Sequence, residues 1–145
     1  MIKTPILAAA AMAFAGAAFA DEMEYMPPVT HAATLEECSA CHMAYPAGFL
    51  PPQSWKVMMA TLDNHFGENA GLDEEMRVEI EKYLVANAGR DRSGDGAAPQ
   101  RISDLPWFRH EHEEEVSKRQ FEKAKSWANC TACHKKAEKG VFEDD

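Results

Sequence analysis

The sequence predicts an all-α protein made of two small units. Apolar residues recur at helical spacing in separate stretches, and no segment alternates apolar and polar residues as a half-buried strand would. A polar run with two glycines, Arg90 to Gln100, breaks that pattern. The expected organisation is a leader over 1–20, a first unit over 21–89, a linker over 90–100 and a second unit over 101–145.

The leader is read from its order of parts. Lys3 precedes an apolar run from Ile6 to Phe14, and Ala18-Phe19-Ala20 offers small residues where a signal peptidase cuts. The run is too short for a membrane span. Cleavage before Asp21 removes Lys3 and no acid, so the formal charge of −9 becomes −10. Such acidity argues against nucleic acid and anionic membrane as partners. It favours a partner with a basic docking patch, or serves only solubility.

Residues 21–33 read as extended, because Pro27-Pro28 opposes helix. Thr34, with Glu37 three residues on, has the form of a capping box, and the helix it opens is expected to run to Tyr45-Pro46. After a loop from Pro46 to Pro52, a helix from Ser54 carries Trp55, Met58, Met59, Leu62 and Phe66 on one face, with Gly67 as its stop. Asp73 caps a third helix with Met76, Ile80, Tyr83 and Leu84 as its stripe, ended by Gly89. In the second unit Ser103 to Pro106 is a turn, one charged helix is expected from His110 to Lys125, and Asn129 is placed as cap of a last helix ending near Gly140.

All four cysteines fall in two segments, Cys38-Ser39-Ala40-Cys41-His42 and Cys130-Thr131-Ala132-Cys133-His134. A Cys-x-x-Cys pair followed at once by histidine is the arrangement for covalent haem attachment. Each cysteine forms a thioether with one vinyl group, and the histidine turns back to ligate the iron. Two such segments with no cysteine left over imply two haem c groups. A four-cysteine zinc site would have to bring together pairs separated by 88 residues, and a thioredoxin-like site lacks its βαβ surroundings. The second unit, about 45 residues and rich in charge, is too small to fold on a side-chain core alone, so a buried cofactor is expected to complete it.

The second axial ligand decides what a haem does, since an open position admits small molecules. The last methionine is Met76, so the second unit offers only histidine, an unusual ligand or nothing. For the first haem His65 is favoured over Met58, Met59 and Met76, which pack at core spacing; His31 lies in an irregular segment. For the second haem His110 and His112 compete, and on a helix they point in different directions. Trp107 and Phe108 are candidates for packing against a porphyrin face.

Several stretches carry a resemblance: CSACHMAYP at 38–46, Ser54-Trp55, HFGENAGL at 65–72, Tyr83-Leu84, RISDLPWF at 101–108, Glu111-His112 and CTACHKKAEKG at 130–140. In this order the chain resembles the small dihaem cytochrome c family of proteobacteria, electron donors to an oxygen-binding, high-spin monohaem cytochrome of the sphaeroides-haem-protein type. The resemblance implies two haem domains, the first like a class I cytochrome c and the second short, irregular and helical. It implies bis-histidine irons, with His65 opposite His42 and His112 opposite His134. It also implies a periplasmic location and redox-protein partners: a monohaem cytochrome, and a membrane quinol-linked or b-type cytochrome donor. His110 is an extra histidine beside the motif.

Electron carriage is therefore the expected function, with no catalytic residues. The alternatives are a haem enzyme or small-ligand binder with one open iron, and an electron-transfer subunit of a larger periplasmic reductase. No phosphate loop, no Ser-His-Asp signature and no distinct carboxylate pair points elsewhere.

Overall fold

Helix formation begins earlier than Thr34. In the computed structural model, which describes residues 25–91 and 96–143, helix α1 spans Ala32–Cys38. Its N-cap is His31, whose Nδ1 accepts from the Thr34 amide and bonds the Thr34 hydroxyl at 3.0 Å. Thr34 is buried inside the helix, so the expected capping box with Glu37 does not form. The helix stops at Cys38, within the first motif rather than at Tyr45-Pro46, because residues 39–42 leave the helical path as a turn. The leader at 1–20 lies outside the described residues, as does part of the linker at 92–95.

A 3-10 turn at Ala47–Phe49 leads into α2, Pro52–Ala60, which opens on proline where the missing amide costs nothing. Trp55 and Met59 face inward, and the Trp55 indole Nε1 donates to the Ala47 carbonyl at 2.8 Å. That bond satisfies the indole's only polar atom in a buried place. Helix α2 ends before Leu62, not at Phe66. A 3-10 turn at Leu62–Asn64 follows, and His65 begins a separate tight turn. Helix α3, Glu74–Ala86, is capped as the sequence predicts, with Asp73 Oδ1 accepting from Met76 N at 3.0 Å. Ile80 and Leu84 on its inner face meet Trp55, Met59, Leu50 and Ala47 to form the main core. Ile102 and Leu105, beyond the linker, pack against the same core.

The expected single helix from His110 to Lys125 is two. Helix α4, Pro106–Glu115, starts earlier, again on a proline, and α5 spans Lys118–Ala124. Ser117 separates them with a full capping box to Gln120, which satisfies amides at the start of α5 and stops α4 from running on. Lys125 then turns left-handed at φ 66°. The last expected helix is absent. Two 3-10 turns, Cys130–Ala132 and Ala137–Lys139, take its place, and the Asn129 side chain donates back to the Ala124 carbonyl instead of capping.

Among the described residues the regular structure is entirely helical, and none of its helices is long and apolar enough to cross a membrane. Two isolated bridges tie segments together, one of them Tyr25 to Val141. Beside it Met26 N donates to the Gly140 carbonyl at 2.8 Å. Gly140 is left-handed at φ 77°, and a Cβ there would stand 1.9 Å from the Met26 carbonyl oxygen. Only glycine allows the two ends of the described chain to meet this closely.

Candidate functional site

The first motif leaves α1 at Cys38 and presents His42 on an irregular segment. The His42 Nδ1–H donates to the Met43 carbonyl at 2.7 Å, which leaves Nε2 as the ring's free acceptor. Opposite stands His65, the two ring centres 6.2 Å apart and 26° from parallel. His65 is held by backbone, not by a helix. Its amide and carbonyl both pair with Glu68, around Phe66 at φ 54° and Gly67 at φ 102°. Two central residues with positive φ are the pattern of a tight hairpin turn, and glycine at the second lowers its cost.

The second site repeats the arrangement with different parts. His134 follows its cysteines directly, and its Nδ1 faces the Glu143 carbonyl at 3.4 Å. His112, on α4, lies 6.2 Å from it between ring centres, the rings close to perpendicular at 78°. The His112 Nδ1–H donates to the Phe108 carbonyl one turn back, at 2.8 Å. Of the two candidates, it is His112 that the helix turns toward His134. The exposed His110 points away, with Glu114 at 3.9 Å as its nearest ionic partner. His31 is engaged elsewhere, capping α1, stacking on Tyr83 and pairing with Glu79 at 3.1 Å.

These distances test whether the residues fit haem. A metal–imidazole bond is about 2 Å long and the ring centre lies about 1 Å behind the nitrogen, so two imidazoles on one metal are centred roughly 6 Å apart. Both pairs meet that condition. Tying Nδ1 to a carbonyl, as His42 and His112 do, is how proteins orient a ligating imidazole and fix its tautomer. None of the cysteines is joined in a disulfide; Cys38 and Cys130 are partly buried, Cys41 and Cys133 exposed. Burial, then Glu37, raises the Cys38 thiol pKa, and burial pushes Cys130 up to about 11. Burial, then His42 and Arg101, lowers that of His65 and favours the neutral form that binds metal. Among the described residues no three His, Cys, Asp or Glu side chains converge as a bare metal site, so the zinc alternative has no donor set.

Aromatic side chains surround the second site. Phe108 is buried and stacks on His112 at 3.8 Å, while Trp127 meets Phe108, His112 and Phe121. Phe142 packs edge-on to His134, and Trp107 stacks on Phe49. At the first site Arg101 sits 3.9 Å over the Phe66 ring, in the neighbourhood of His65. The contacts of Trp127 with Phe108, of Phe142 with Phe49 and of Arg101 with Phe66 escape sequence reasoning, because the partners are distant in the chain.

Fold and geometry define a helical protein with two c-type haem sites, each a Cys-x-x-Cys-His segment faced by a second histidine. Residues 34–142 match the family model for dihaem cytochrome c. The structure is similar to the diheme cytochrome c from Rhodobacter sphaeroides, with TM-score 0.75 and 55% identity over 80% of this chain and 99% of that one. It is also similar to the diheme cytochrome type c from Shewanella baltica, with TM-score 0.67 and 41% identity over 77% of this chain and 86% of that one. No curated protein sequence matches. The chain belongs to the dihaem cytochrome c family, and it takes two haem c groups with their irons. Membership supports haem-based electron carriage.

Proposed function

We propose that this protein is a periplasmic electron carrier whose two irons are each held by two histidines, His42 with His65 and His134 with His112. The observation that carries the reading is the pair of facing imidazoles, 6.2 Å between centres at both sites. Cys38 and Cys41 anchor the first group, Cys130 and Cys133 the second. When bound, each haem supplies an iron that alternates between two oxidation states. The chain's own residues do the rest. With two histidines on each iron, no position would remain for a substrate. The Met43 and Phe108 carbonyls hold their imidazoles in place, and the Phe108, Trp127 and Phe142 rings pack against the second pair.

The residues Lys3 to Ala20 support export. The proposed partners are other redox proteins: a monohaem cytochrome that receives electrons and a quinol-linked or b-type cytochrome that supplies them. The net charge of −9 favours partners with basic docking faces, and association that weakens with salt. Carbon monoxide tests the closed-iron reading. The reduced native protein, purified with two haems per chain, is expected not to bind it. Binding at neutral pH would expose an open iron and favour a ligand-binding or catalytic role.

A further inference from the structure

Between Cys41 and Cys130 lie 88 residues, yet one side chain reaches from the first haem-binding segment to the approach to the second. Tyr45 stacks on the His42 imidazole, with ring centres 4.8 Å apart and planes 22° from parallel. Its hydroxyl donates to the Ala128 carbonyl at 2.5 Å. The same carbonyl oxygen lies 3.9 Å from Cys130 Sγ. Both ends of this link are held. Pro46, next to Tyr45, is fully buried. The turn that presents Ala128 is closed by Asn129 N to Ser126 O at 3.2 Å and by Ala128 N to Ser126 Oγ at 3.1 Å.

We infer that Tyr45 is a positioning residue that joins the two haem-binding segments: its ring sets the plane of His42, and its hydroxyl holds the second motif against the first. The inference rests on the reading of His42 as an axial ligand. The parts of Tyr45 divide the work. The ring restricts rotation of His42 about its bond to the metal, as an outer partner of a ligand does. The hydroxyl bonds a carbonyl at the entrance to the second motif, where the backbone is in short 3-10 turns rather than a continuous helix.

The test uses the full holoprotein with Tyr45→Phe and Tyr45→Leu. Tyr45→Phe keeps the ring and removes the hydroxyl bond. The Cys133 and His134 amides, which both donate to the Cys130 carbonyl, are then expected to exchange with solvent roughly five-fold faster, the effect of one lost net hydrogen bond. The EPR g-values of the first iron stay unchanged. Tyr45→Leu removes the ring too, and the first iron's g-values shift. Wild-type exchange at 133 and 134 in the Phe variant overturns the inference, whether or not the Leu variant folds. Wild-type g-values in a folded Leu variant overturn it as well. Failure of the underlying ligand reading shows separately, in the unsubstituted protein, as a missing low-spin signal.

Discussion

Phe108 supports His112 twice: its ring stacks on the imidazole at 3.8 Å, 11° from parallel, and its carbonyl accepts the Nδ1–H at 2.8 Å. Both contacts come from residues one helical turn apart, so α4 builds the ligand's support locally. His110, two positions earlier, has neither. His112→Ala is therefore expected to open the second iron, giving a high-spin ferric signal and carbon monoxide binding at that site alone. His65→Ala does the same at the first site. His110→Ala leaves both spectra unchanged, and a spectral change in that variant would reverse the assignment.

Removing the haems is expected to unfold the second segment first. Among the described residues the buried hydrophobic ones after residue 100 are Phe108, Ala124 and Ala137, against Val29, Ala47, Leu50, Trp55, Met59, Ile80 and Leu84 before it. One phenylalanine and two alanines bury too little apolar surface to offset the ordering of some forty residues. Far-UV circular dichroism of the apoprotein should show a marked loss of helix. A spectrum matching the holoprotein's would mean that the side chains suffice.

Tyr45 gives a pH dependence with a defined sign. Burial, the larger cause, pushes its pKa from 10.0 up to about 12. Below pH 10 the phenol is protonated in folded and unfolded chains alike. Between 10 and about 12 only the unfolded chain ionises, so stability falls as pH rises through that window. Denaturant midpoints of wild type and Tyr45→Phe across it are expected to converge, because phenylalanine cannot titrate. Parallel curves would show that Tyr45 does not contribute to the alkaline loss.

Gly140→Ala is expected to destabilise the fold by more than about 1 kcal/mol, since it combines a left-handed backbone with a collision. The added Cβ would meet the Met26 carbonyl at 1.9 Å, so the Tyr25–Val141 bridge must part. Thermal denaturation of the holoprotein reads the effect. An unchanged midpoint would mean that the segments at Met26 and Gly140 do not need to meet.

The chemistry lay in short spacings and was readable from them. Cys-x-x-Cys-His is local, and the absence of methionine after Met76 left the second site histidine, an unusual ligand or nothing. Helix α3 was readable because Asp73 and its apolar stripe agree. The errors share one cause, a competing local bond. His31 takes the cap expected of Thr34. The Ser117–Gln120 capping box divides the charged stretch that was expected to be one helix. Helical spacing through Phe66 was real, but Phe66 and Gly67 with positive φ turn the chain instead. That turn brings His65 opposite His42. The Tyr45 hydroxyl and Trp127 find Ala128, Phe108 and His112 only once the chain has folded.

The most direct measurement of the central claim is low-temperature EPR of the fully oxidised holoprotein, with the signals integrated against total iron. Four histidines in two facing pairs predict low-spin ferric signals that account for both irons. A high-spin signal amounting to one iron per chain would contradict it.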